Sequence, residues 1–144
     1  MPKPTDVGVG TAVVIFNEAG QVLLGRRRGA HREAHWSVPG GWLDREDEDT
    51  EAAAIREVLE ETGLVATALD RLSWTTEDHP EQGFRSVTLY YLCDVGHWTG
   101  VPEAREPEKC EGWAWFSLQD LPGPLFPGLE RALTEFVSDY VDSL

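Results

Sequence analysis

A chain of 144 residues with 41% hydrophobic side chains and six tryptophans is one domain's worth of sequence, long enough for a core and too apolar for disorder. Twelve Lys and Arg against 26 Asp and Glu leave a net charge of −14, which disfavours attraction to DNA, RNA or anionic membranes but tolerates a small anion met by local cations. The two cysteines, Cys93 and Cys110, form no CxxC pair and read as free thiols of a reducing cytosol. The N-terminal run is too short for a signal peptide, and no stretch approaches a membrane span, so a soluble cytoplasmic domain is expected.

In chain order, "VGVGTAVVIF" and "QVLLGRR" are β-rich runs around "NEAG" (Asn17 to Gly20), a hairpin signal. "HWSVPGG" reads as a short strand ending in a Gly-Gly turn. Residues 50–62 follow a helical period, with Ala52, Ile55, Val58 and Leu59 on the apolar side. Asp49 or Thr50 suits the N-cap and Gly63 the C-terminal stop. "LDRLSWTTED" and "FRSVTLYYLCDVG" form two further strands around a polar loop. "GWAWFSL" is another strand, and "PGLERALTEFVSDYV" a closing amphipathic helix. The sum is one α/β domain over residues 1–144, with no linker or internal repeat.

The stretch "REVLEETGL", Arg56 to Leu64, raises a charge problem. On a helix advancing about 100° per residue, Glu57, Glu60 and Glu61 share an arc of roughly 100°, where like charges repel. Either water solvates this face, or a doubly charged cation sits among the carboxylates. Mg²⁺ suits the second case, since it takes oxygen ligands and bridges one or two carboxylates to phosphates.

The longer stretch "PGGWLDREDEDTEAAAIREVLEETGL" resembles the signature of the Nudix hydrolases, G-x5-E-x7-R-E-U-x-E-E-x-G-U with U apolar. From Glu48 through Arg56 to Leu64 the match has no gap. One departure precedes it: six residues, not five, separate Gly41 from Glu48, and in the other register Asp47 takes the place of Glu48. The blocks "VLLGRRRG" and "EPEKCEGWAWFSLQDLPGPLF" extend the likeness to the MutT-like nucleotide triphosphate diphosphatases, a subgroup similar to plant cytosolic Nudix enzymes.

That resemblance implies an α/β/α sandwich with a mixed β-sheet. It implies a metal site for Mg²⁺ or Mn²⁺ made by Glu57, Glu60, Glu61 and the carbonyl of Gly40. Arg56 orients a neighbouring glutamate. Glu57 is the first choice of general base, and Glu108 and Glu111 of "EPEKCEG" are further acids from outside the motif. "GRRRGAHR" gathers Arg26, Arg27, Arg28 and Arg32; in an extended strand Arg26 and Arg28 share one face and Arg27 points the other way, and at least one of the four, Arg26 and Arg27 first, is expected to contact phosphate. His31 reads as a loop histidine. Leu125 and Phe126 match the segment that lines the base pocket in this subgroup, with core packing as the alternative. Trp36 and Trp42 either stack on a ligand or pack.

The implied activity is cleavage of (deoxy)nucleoside triphosphates, oxidised ones such as 8-oxo-dGTP included, to monophosphate and pyrophosphate. The alternatives are ADP-ribose, another nucleoside diphosphate derivative, a prenyl diphosphate, or a binding module without catalysis. The expected partner is a small nucleotide or diphosphate rather than nucleic acid or membrane; homodimers are common in the family.

Overall fold

The structure, a computed structural model, describes residues 7–29 and 32–137. The expectation for His31 and the last residues of the closing helix lie outside them.

Alternation along two strands divides the interior into two cores. In β1 (Val7–Ile15), Ala12 and Val14 point to one side and Val13 and Ile15 to the other. β2 (Val22–Arg27) divides likewise, Val22 and Leu24 against Leu23. Because both faces are buried, the strands read as unbroken apolar runs.

A four-stranded mixed sheet runs in the order β4–β1–β7–β6, with β4 (Gly40–Trp42), β6 (Asp70–His79) and β7 (Phe84–Cys93). β1 pairs parallel to β7, while β4–β1 and β6–β7 are antiparallel. A second sheet holds β3 (Trp36–Ser37), β2 and β9 (Cys110–Phe116). A third joins β5 (Val65–Ala66) to β8 (Trp98–Thr99), two strands too short to show a period in the sequence.

On one face of the larger sheet lies α1 (Thr50–Thr62), burying Ala54 and Val58 against Val13, Ile15, Tyr91 and Cys93. The other face is covered by α2 (Leu129–Arg131) and a π-helical segment, Ala132–Val137, through Leu129, Leu133 and Val137. This is an α/β/α sandwich. Each fully buried Val or Leu contributes about 1.5–3 kcal/mol relative to exposure.

Four expectations need correction. The Asn17–Gly20 turn forms, with Asn17 Oδ1 accepting from the Ala19 and Gln21 amides, but β1 and β2 share only the Phe16–Val22 bridge before entering different sheets. "HWSVPGG" is two strands, because Gly40 and Gly41 pair with β1 instead of turning. Leu59 is 45% exposed, and Ala53, Ala54 and Val58 make the buried face of α1 in its stead. The closing element has one α-helical turn followed by the π segment.

Gly40 is required by close approach. A Cβ there would fall on the Thr11 carbonyl oxygen and the Ala12 Cα of β1, backbone atoms that cannot rotate away. Gly40→Ala is expected to cost roughly 1–3 kcal/mol or more, as overpacking does. Gly10→Ala, whose nearest new contact is 3.6 Å, is the comparison. Thermal melting of both variants decides: an equal loss would show that the β4–β1 contact is not the cause.

Candidate active site

Asp49 caps α1 through a 2.8 Å bond from the Ala52 amide, and Gly63, at φ 78°, ends it. Between these caps Glu57 and Glu61, one turn apart, face β4. The Glu61 Oε2 accepts the Gly40 amide at 2.7 Å, and a Cβ on Gly41 would lie 2.5 Å from the Glu57 carboxylate. The Gly-Gly pair therefore lets two carboxylates approach bare backbone. The carbonyl of Glu61 is fixed by the Trp113 indole N–H at 3.1 Å and the Arg105 amide at 3.3 Å.

Arg56 lies beside them as a clasp. Its Nε and Nη2 donate to the two oxygens of Asp47 at 2.8 and 2.9 Å, and its Nη1 donates to Glu57 at 3.0 Å and Glu60 at 3.2 Å. Asp47 also accepts the Asp44 amide, and the Arg56 bonds, followed by that amide, hold its carboxyl below the usual range. Glu48 is exposed, so the alternative register is the one that meets Arg56. Glu60 turns outward, half exposed on Arg56.

Burial dominates the electrostatics. It pushes the Glu61 carboxyl up to about 8; the Gly40 amide opposes this, and Glu57 and Glu106 reinforce it. Burial likewise raises Glu57, with Arg56 opposing. Among the described residues no three His, Cys, Asp or Glu side chains are gathered into a ready-made metal cluster. Arg56 draws Glu57 and Glu60 one way, and the Gly40 amide draws Glu61 another. The donor chemistry nonetheless fits a hard divalent cation: two carboxylates one turn apart, desolvated, with more negative charge nearby.

These residues border a cleft of about 580 Å³ between the diverging sheets. Its lining includes Glu57, Glu61, Gly40, Trp42, Arg27, Arg28, Lys109 and Phe126. The Arg27 guanidinium lies 4.8 Å from the Phe126 ring centre, and burial lowers its pKa while Glu61 raises it. Arg26 and Glu111 do not border the cleft; they pair with each other at 3.3 Å. Glu106 and Glu108, from the turn that precedes β9, where Glu111 lies, do border it. Glu106 escaped the sequence reading, and its one signal was the density of acids in "EPEKCEG". Leu125 packs in the core, bridged to Trp36, which stacks edge-on against Phe116.

The profile of the NUDIX domain matches residues 6–137, nearly the whole chain. The chain is a Nudix hydrolase. Such enzymes act on pyrophosphate bonds and generally need divalent cations. An RNA pyrophosphohydrolase of Caulobacter vibrioides is 35% identical, covering 87% of this chain and 80% of that protein. A provisionally named 8-oxo-dGTP diphosphatase of Bacillus subtilis is 30% identical, with 88% and 78% covered. The crystal structure of a MutT Nudix hydrolase from Burkholderia pseudomallei superposes with a TM-score of 0.82 at 32% identity, covering 89% of this chain and 96% of that one.

Two expected outcomes follow for this Nudix hydrolase. Asp47→Ala should lower kcat by about 10- to 100-fold, the usual effect of losing a residue that orients a ligand, while Glu48→Ala changes it little. The reverse ranking in steady-state assays would restore Glu48 as the partner of Arg56. The second concerns pH. A carboxyl raised on folding binds a proton that the unfolded chain has lost, so its contribution to stability falls as pH rises from about 4.5, its unfolded value, through about 8. In EDTA, melting temperature should therefore drop more steeply between pH 5 and 8 for wild type than for Glu61→Gln. Parallel curves would remove Glu61 as the buried titrating group.

Proposed function

We propose that this Nudix hydrolase cleaves (deoxy)nucleoside triphosphates, oxidised ones such as 8-oxo-dGTP included, to the monophosphate and pyrophosphate, with Mg²⁺ or Mn²⁺. One observation carries the reading: a single cleft holds the desolvated pair Glu57 and Glu61 beside Arg27, Arg28 and Lys109. A triphosphate offers both halves a partner.

Glu57 and Glu61, with the Gly40 carbonyl and Glu60 at the outer side, are the residues that would hold the cation. Bound there, it would neutralise phosphate oxygens and favour attack by water. Arg27 and Arg28 meet the outer phosphates, where guanidinium forks match phosphate geometry. Glu57, its pKa raised by burial, takes the proton of the attacking water. Arg56 keeps the Glu57 side chain in place while anchored on Asp47. Negative charge on the departing pyrophosphate is met by cationic groups already in position, with no covalent intermediate.

A second reading has its own support, since relatives at 35% identity are named RNA pyrophosphohydrolases. The 5′ end of an RNA carries the same triphosphate, but a chain of net charge −14 repels the polyanion behind it. Among the described residues no helix is long and apolar enough to cross a membrane. Both cysteines are free, in keeping with the proposed cytoplasmic location.

The test is product analysis with Mg²⁺ on dGTP, 8-oxo-dGTP, dCTP, ADP-ribose, geranyl diphosphate and a 5′-triphosphorylated RNA. Monophosphate and pyrophosphate should appear from the free triphosphates, and Glu57→Gln should reduce kcat about 100-fold or more, since it removes both a cation ligand and the base. Nucleoside diphosphate with orthophosphate would refute the bond assignment, and faster turnover of the RNA end would make the second reading the correct one. Absence of turnover on the whole panel would leave a binding module.

A further inference from the structure

The sheet face that floors the cleft, and continues beneath Gly128, carries polar groups that the phosphate chemistry leaves unused. Along β6, Thr75, Glu77 and His79 alternate onto one face of the sheet, and pairing places Thr88 and Ser86 of β7 on the same face. A buried sheet face is ordinarily apolar. Here Thr75 is 5% exposed and Glu77 6%. Ser86, Thr88, His79 and Tyr90 border the cleft, and the neighbouring β1 residues Gly10 and Ala12 keep the floor flat. Phe126 and Trp42 also border it. Such a floor has the shape and chemistry to take a planar, hydrogen-bonding ring.

Glu77 is the unexpected member. Its Oε1 accepts the Thr88 hydroxyl at 2.8 Å. Its Oε2 is buried without a hydrogen-bond partner among the described residues. No Lys or Arg side chain there forms an ion pair with Glu77. A carboxylate in such a place costs stability, so packing alone does not account for it. It does have a directional effect. In that bond Thr88 is the donor, so its proton is committed to Glu77, and the Thr88 oxygen presents lone pairs alone to the cleft.

We propose that Thr88, polarised by its hydrogen bond to Glu77, reads the nucleobase of the substrate and selects bases that carry an exocyclic amino group. This rests on the reading that the cleft takes a nucleotide. In the proposed pose, the phosphates meet Glu57, Glu61, Arg27 and Arg28, and the base lies on Gly10, Ala12 and Thr88. An amino group donates to the Thr88 oxygen; a keto oxygen at the same place faces lone pairs and is rejected. Thr88 is then the specificity residue. Glu77 is a positioning residue, acting through Thr88.

Pairs of nucleotides that differ in this group isolate the effect: guanine against hypoxanthine, which lacks only the amino group, and cytosine against uracil, where a keto oxygen replaces it. Wild type should favour the amino-bearing member of at least one pair by about tenfold or more in kcat/KM, as expected where a buried acceptor is left unpaired by the analogue. Thr88→Val should bring that ratio close to one, Thr88→Ser should restore it, and Glu77→Gln should lower it by freeing the hydroxyl to rotate. A purely structural role would depress both members of a pair equally, and that outcome overturns the proposal, as does a wild-type ratio near one for both pairs. Binding of dGMP, dIMP, dCMP and dUMP, followed by calorimetry, separates this inference from the catalytic one. A binding preference erased in Thr88→Val, without turnover of any triphosphate, keeps the base reader and refutes the triphosphate reading. Turnover of triphosphates with equal binding within both pairs does the opposite. The wild-type ratios decide even where a variant does not fold.

Discussion

Two carboxylates, Glu57 and Glu61, are held one turn apart on α1 against the backbone of β4, and much of the architecture serves that contact. It needs a strand without side chains at the point of approach, which Gly40 and Gly41 provide. It needs α1 fixed along its length, by Asp49 at one end and by the bonds from Trp113 and Arg105 to the Glu61 carbonyl at the other. Mutual repulsion and burial both oppose the arrangement, as the raised Glu61 and Glu57 carboxyls record. Only the fold around it, including the apolar contacts of Val58 and Ala54 on the adjoining face of the helix, keeps it in place.

Divergence of the sheets supplies the space. After the Phe16–Val22 bridge, β1 turns toward β4 and β7 while β2 joins β3 and β9. The cleft therefore has walls of different chemistry: α1 contributes acid, β2 and the following loop contribute Arg27 and Arg28, and the larger sheet contributes hydroxyls. A protein of net charge −14 can attract a polyphosphate only through such a local arrangement. Long-range steering works against it, so recognition falls to contacts within the cleft.

Much of this was legible in the sequence, and the limits have physical causes. The span and caps of α1 follow from Asp49, Gly63 and the helical period, and the motif around Arg56 carries the family signature. Long strands such as β1, β6 and β7 announced themselves, whereas β5 and β8 are two residues each and carry no period. Gly40 and Gly41 read as a turn because glycine usually signals one; here its missing side chain matters more than its backbone freedom. Hydrophobicity places Leu59 in the core, yet α1 lies on the sheet through Ala54 and Val58 and leaves Leu59 to solvent. Loop acids were hardest. Glu106, Glu108 and Glu111 are alike in sequence, and only the pairing of Glu111 with Arg26 separates it from the two that border the cleft.

The Arg56 clasp shows how one side chain can serve two regimes of charge. Asp47 engages Nε and Nη2, the two donors along one edge of the guanidinium, and so fixes its plane. Glu57 and Glu60 share the remaining Nη1, at longer distances. The pair of bonds to Asp47 is stronger than either shared one, so a divalent cation held by Glu57 and Glu60, as proposed, would replace the weaker partners and leave the anchor intact. Arg56 would then stay where its positive charge restrains the same glutamates. A lysine in its place, with one point charge and no plane, could hold Asp47 or the glutamates but not fix both directions at once. Five residues separate Gly41 from Asp47, as in the signature, so the extra residue falls between Asp47 and Arg56, and Asp47 reaches the guanidinium edge from its own turn, closed by the Asp44 amide.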